Sequence, residues 1–181
     1  VLDLCIGGVM EPLFKGNRDP VPDRLMAAVD AGIPMVLAPC GLDILSYGGR
    51  ADMLERTKDR PQYVQDALRV QVRTTADELR RAAEVIADRL NRARGPWTFL
   101  VPLQGWSSLD KAGRPIFDPA ADAAFVARLK EKVADRGRIR EVDLHLYTPQ
   151  FARVAVDEFA RLFAAAQAAA APGHARAAGG A

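Results

Sequence analysis

The groups best suited to chemistry in this chain are polar residues standing where short apolar runs end. His145 is one of only two histidines. At the close of a candidate strand its imidazole could act as a general acid/base or touch a ligand, and it could equally be a hydrogen-bonded structural histidine. Asp110 could orient a metal or a hydroxyl, or serve in acid/base transfer. Ser107 and Ser108 could hydrogen-bond a phosphate or carboxylate, and Trp106 could stack on a ring. The alternative is that Ser107 and Asp110 make local turns and Trp106 covers the core. Arg73 stands just before a helix start, where a guanidinium could clamp an anion in bidentate fashion or form a surface ion pair. Thr74 follows it, and Thr75 with Glu78 has the spacing of a capping box.

Glycines complete the set. Gly7, Gly8, Gly41 and Gly105 fall in loops after apolar runs, where glycine either makes a turn or lets the backbone approach a ligand. None of these loops is a phosphate fingerprint, because neither GxxxxGK[ST] nor a GxGxxG between strand and helix occurs. No Ser-His-Asp order, nucleophile elbow or paired-carboxylate spacing singles out a reaction. Cys5 and Cys40 lie far apart and follow no CxxC or Cys/His spacing, which argues against zinc and a disulfide framework and fits a reducing cytoplasm. No metal site is expected.

The elements that must position these groups alternate. Strands are expected at Val1–Ile6, Ile33–Ala38, Trp97–Leu103 and Arg140–His145, buried on both faces. Helices are expected at Asp23–Ala31, behind Pro22 and closed by Gly32, and at Thr75 to about Ala93, with Leu79, Ala82, Ala83, Ile86 and Leu90 on one face. A third runs from Pro119 to about Ala134 with Asp118 as N-cap, and a fourth follows Thr148-Pro149. Leu42–Tyr47 and Tyr63–Val72 read as short strands or irregular loop, with a turn at Gly48-Gly49. The alternation implies a three-layer α/β fold: a Rossmann-like open parallel sheet with helices on both faces. Ligands of such sheets bind at the carboxyl edge of the strands, where the loops bearing Gly7, Gly8, Gly41, Gly105, Ser107, Ser108 and His145 converge.

With 181 residues, 49% hydrophobic and 27% charged, the chain suits one α/β domain over residues 1–163 and an Ala/Gly-rich helix end and tail over 164–181. The 25 basic and 23 acidic residues are interspersed, so neither a nucleic acid nor a membrane is an expected partner. The chain opens directly on an apolar run with no leader, which is the expectation for the second half of a longer protein whose preceding half is missing.

Several motifs in fixed order carry a resemblance: Ala31-Gly-Ile-Pro-Met-Val, Gly41-Leu-Asp-Ile, Arg73-Thr-Thr with Glu78, Leu90-Asn-Arg-Ala, Pro102-Leu-Gln-Gly-Trp-Ser-Ser-Leu-Asp, Asp118-Pro-Ala-Ala-Asp122 and Glu141-Val-Asp-Leu-His145. Over Val1 to Phe163 the chain resembles the second subdomain of the tomato mosaic virus resistance protein family, whose many microbial members are uncharacterised and described as ATP-binding. The resemblance implies two α/β subdomains, a homodimer, a TIM-barrel partner domain, and binding of a nucleotide such as ATP with Mg. It places Gly41, Asp43, Arg73, Thr74, Gly105, Ser107, Asp110, Asp118 and His145 on recurring positions. Where relatives carry a Thr-rich strand end followed by Glu, this chain has Cys5-Ile6-Gly7-Gly8, so its ligand is expected to differ.

Overall fold

Trp97–Pro102 is buried at every position, as a strand covered on both faces must be, and it runs through the middle of the molecule. The computed structural model describes residues 1–16, 22–48, 51–66 and 68–170. In chain order the elements are β1 (Leu2–Asp3), α1 (Met10–Phe14), α2 (Met26–Ala31), β2 (Met35–Leu37), β3 (Ile44–Tyr47), α3 (Ala51–Arg56), β4 (Gln62–Asp66), β5 (Arg69–Arg73), α4 (Ala76–Asn91), β6 (Trp97–Pro102), α5 (Pro119–Lys132), β7 (Ile139–Val142) and α6 (Pro149–Ala170).

The main sheet has the order β1-β2-β6-β7 and is parallel throughout. Successive side chains of a strand point to opposite faces, and here they feed two cores. Met35, Leu37, Trp97, Phe99 and Val101 join Leu79, Ile86, Phe125 and Leu129 of α4 and α5 on one face. Val36 and Leu100 join Phe151, Ala155 and Leu162 of α6 on the other. The expected three-layer, Rossmann-like α/β architecture is present. A buried hydrogen bond from Thr98 Oγ1 to Glu158 (2.6 Å) fixes α6 against β6.

The segment that read as strands or loop forms a second sheet, antiparallel, of order β3-β5-β4. Its buried side chains, Leu45, Tyr47, Val70 and Val72, enter the larger core. Its last residue is Arg73, so this small sheet delivers the arginine to the carboxyl edge of the large one.

Several boundaries differ from expectation. The first strand spans only Leu2–Asp3, and as the sheet edge it is partly exposed. The fourth ends at Val142, because a tight turn in which the Leu144 amide donates to the Val142 carbonyl (2.8 Å) carries the chain out of the sheet, so His145 stands in the following loop. The helix expected from Asp23 begins at Met26, since Leu25 takes a left-handed conformation (φ 78°) that a continuous helix does not permit. The last helix runs to Ala170, so residues 164–170 are the helix end of the expected closing segment. Gly49 of the expected turn and residues 171–181 of the tail lie outside the described residues.

The helix signals match. Gly32 takes φ 65° behind α2, and Asp118 accepts the Ala121 amide (3.0 Å) as N-cap of α5. Thr75 and Glu78 form the full reciprocal capping box of α4. Thr75→Ala leaves one of these amides without its acceptor and is expected to lower stability by about 1 kcal/mol. Urea unfolding reads this as a lower midpoint at unchanged slope; an unchanged midpoint would show that the box does not stabilise α4.

Candidate functional site

The loops at the carboxyl edge of the main sheet fit one another closely. A Cβ on Gly7 would lie 2.6 Å from the Gly41 carbonyl oxygen, so the loops after β1 and β2 touch backbone to backbone. Gly105 has φ 116°, and a Cβ there would lie 1.8 Å from the Asp110 carbonyl oxygen. These glycines serve loop–loop approach. Gly8 is partly exposed, and a Cβ there would meet only the Arg24 side chain, at 3.4 Å.

Under these loops lies a dry polar network. Arg73 is 2% exposed, so the expected surface ion pair is instead a buried one. Its Nη2 meets Asp122 Oδ1 at 2.5 Å and donates to the Asp118 carbonyl at 3.0 Å, and its Nη1 faces Asp110 Oδ1 at 3.7 Å. Asp110 is fully buried and its Oδ2 accepts the Trp106 amide (2.9 Å). Asp43, also fully buried, accepts the Gly41 amide (3.2 Å) and the Ser107 hydroxyl (2.5 Å). Ser107 Oγ in turn accepts the amides of Leu109 and Asp110 (3.3 and 3.2 Å). Thr74 donates its hydroxyl to the Leu42 carbonyl (2.8 Å). Trp106 is the core cover of its two readings: its ring meets Phe125 edge-on at 5.4 Å and its Nε1 donates to the Pro102 carbonyl (3.1 Å).

Three carboxyls around one guanidinium cannot all ionise cheaply in a dry site. Burial raises the Asp122 carboxyl to about 8, with Arg73 opposing and Asp110 adding to the rise. Burial likewise raises Asp43 to about 6, against the Ser107 hydrogen bond. A proton retained on Asp122 and shared with Asp110 also answers the one oxygen of Asp110, Oδ1, that otherwise lacks a hydrogen-bond donor.

His145 is buried above this network. Its Nε2 lies 3.1 Å from the Ser107 carbonyl, and its Nδ1 accepts the Tyr147 amide at 3.1 Å. A carbonyl can only accept and an amide can only donate, so the contacts fit the tautomer with its proton on Nε2, and both ring nitrogens are engaged by backbone. The imidazole edge nevertheless lines an open groove of about 610 Å³ together with exposed Ser108, Lys111, Gly113, Arg114 and Tyr147 and half-buried Thr148. Thr148 caps α6 by accepting the Phe151 amide (3.2 Å), so the groove lies at the start of the longest helix described. A separate, apolar cavity of about 340 Å³ lies between β6 and α5, with Trp106, Phe117 and Val126 in its walls and Asp122 at its polar side.

Of the residues singled out from sequence, Asp43, Arg73, Thr74, Gly41, Gly105, Ser107 and Asp110 come together, but inside the protein. Ser108 and His145 reach the groove. Lys111, Arg114, Tyr147 and Thr148 were not anticipated; the pair of cations in Lys111-Ala-Gly-Arg114, inside a long polar loop, was the signal available.

The family described as "Uncharacterised protein family (UPF0261) C-terminal domain" matches residues 1–163, and the chain belongs to it. A UPF0261 protein of Brucella suis biovar 1 (strain 1330) is 31% identical over 161 residues, covering 89% of this chain and 38% of that protein. One of Rhizobium meliloti (strain 1021) is 35% identical over 158 residues, covering 86% and 40%. The ToMV resistance protein Tm-1(GCR237) of Solanum lycopersicum is 26% identical over 161 residues, covering 88% of this chain and 21% of that protein. The chain thus spans about two fifths of the length of the UPF0261 relatives.

Two outcomes follow from the buried network. Arg73→Ala leaves Asp110 and Asp122 without their cation and is expected to cost about 3–5 kcal/mol in urea unfolding; a loss below about 1 kcal/mol would mean that the pairing is dispensable. The raised carboxyls also set a pH dependence. Their stabilisation is complete below the unfolded pKa and is lost as pH rises through about 6 for Asp43 and about 8 for Asp122. Stability should therefore decline from pH 4 towards 8, and in Asp43→Asn the share of the decline below about pH 6 that belongs to Asp43, on the order of 3 kcal/mol, should vanish, while the share of Asp122 persists. Equal slopes in both proteins would remove Asp43 from the account.

Proposed function

We propose that this UPF0261 C-terminal domain is the ligand-binding half of a two-subdomain protein, taking a phosphate- or carboxylate-bearing small molecule at the carboxyl edge of its sheet. The observation that carries this reading is the groove beside His145, where Lys111 and Arg114 face the start of α6. Two cations and a helix N-terminus favour an anion, and the Ser108 hydroxyl supplies a neutral hydrogen bond. Burial raises the Tyr147 hydroxyl to about 12, so it remains a donor at neutral pH, and its ring offers an apolar face to a base. A nucleotide, such as ATP with Mg, satisfies all of these features; the amino-terminal part that the longer relatives carry would close the site, and a second copy would complete a homodimer. The soluble chemistry of such a ligand suits a cytoplasmic protein, and no described helix is long and apolar enough to cross a membrane.

A second reading, an enzyme acting on a small acidic metabolite, is favoured by Asp122. A carboxyl that burial keeps protonated, at the wall of a cavity of about 340 Å³, is equipped to donate a proton. Asp110 and His145 would then position rather than transfer, since Asp110 is fully buried and both ring nitrogens of His145 are engaged by backbone.

The test is a thermal-shift titration with Mg-ATP, ADP, phosphate and small carboxylates. Lys111 and Arg114 are exposed and outside the buried network, so Lys111→Ala/Arg114→Ala should fold. At ligand near a hundred times Kd the native chain should gain about 5 °C or more, and the double variant should lose that gain. A gain that survives the double substitution, or no gain with any ligand, would refute binding in this groove.

A further inference from the structure

Two thiols that are distant in sequence meet at the ends of neighbouring strands. The Cys40 amide donates to the Leu4 carbonyl and the Gly7 amide donates to the Cys40 carbonyl, both at 3.2 Å, so Cys40 sits opposite Cys5 with one residue of irregularity. An isolated bridge between Cys5 and Pro39 continues this contact. The Cys5 sulfur also lies 3.4 Å from where a Cβ would stand on Gly41, the residue after Cys40. Adjacent strands run about 4.8 Å apart, inside the roughly 4.4–6.8 Å that a disulfide spans between Cα atoms. Cys5 is exposed and Cys40 is buried.

We propose that Cys5 and Cys40 form a peroxide-reactive dithiol that closes to a reversible disulfide across the ends of β1 and β2. Cys5, the exposed sulfur, attacks one oxygen of hydrogen peroxide; the O–O bond breaks, the first water leaves, and Cys5 becomes a sulfenic acid. The Cys40 sulfur then attacks Cys5, the S–O bond breaks, and the second water leaves with the Cys40 proton. Two thiols give up two electrons and peroxide becomes two waters. An external dithiol reverses the step by exchange.

The roles follow from the surroundings. The hydrogen bond to Cys5 and burial both hold Cys40 in its thiol form, which leaves Cys5 as the first nucleophile. The Tyr147 hydroxyl, 3.8 Å from the Cys40 sulfur, closes the third side. The strand pairing that brings the sulfurs together exists only in the fold, so an intramolecular bridge outcompetes one between chains at low protein concentration.

The experiment treats the 181-residue chain with a small molar excess of hydrogen peroxide. Intact mass should fall by about 2 Da, both thiols should become unreactive to a thiol reagent in denaturant, the chain should stay monomeric on a non-reducing gel, and a dithiol should restore the starting mass. Cys40→Ser should stop at the sulfenic acid, trapped by dimedone on Cys5, whereas the native chain should yield several-fold less of that adduct. Retention of both thiols, cross-linking only between chains, or equal dimedone labelling of native and Cys40→Ser would overturn the proposal. The native-chain mass needs no variant and decides the matter even if a substitution unfolds.

Discussion

A single buried cation organises the carboxyl edge of this domain. Arg73 arrives at the end of the small antiparallel sheet and meets Asp122 on α5, Asp110 in the loop after β6 and the Asp118 carbonyl at the start of α5. Elements far apart in the chain are thereby held in one arrangement. Buried ion pairs add little net stability over an apolar core, because desolvation offsets most of the attraction, but misplacing any one partner leaves a bare charge. The arrangement therefore selects one geometry for these loops. The excess of carboxyls over guanidinium is absorbed by protons, as the raised Asp122 and Asp43 carboxyls indicate.

This dry network and the wet groove above it do different work. Asp43, Ser107 and Asp110 are consumed by amides and by each other, so they fix the course of residues 104–110. The same loop then emerges as Ser108, Lys111 and Arg114, which are exposed. His145 joins the levels, with its ring nitrogens on backbone below and its edge in the groove. A buried base thus lies under an exposed cationic loop at the edge of the parallel sheet.

Much of the scaffold was legible in the sequence because its signals are local. Pro119 behind Asp118, Thr75 with Glu78 and Gly32 each act within a turn of their own position, and each appears as read. The alternation of strand and helix gave the parallel sheet. What could not be read depends on contacts across the chain. The three-stranded sheet needed the pairing of Leu45 with Val72, which no local pattern declares. Arg73 looked like a surface residue because arginine usually is one; its burial follows from carboxylates on α5 and the loop before it. Cys5 and Cys40 carry no spacing motif because strands β1 and β2, not neighbouring residues, bring them together.

This division explains why motif recognition reached the fold more readily than the ligand. The motifs that carry the resemblance centre on Asp43, Arg73, Thr74, Ser107 and Asp110, and every one of these side chains is buried. A signature built from a dry network reports which loops must meet, since changing any partner strands a charge or a hydrogen bond. It says nothing of what lies against the outer surface of those loops. Positions such as Lys111, Arg114 and Tyr147 are exposed and so unconstrained by packing, which leaves them invisible to a pattern that reports folding.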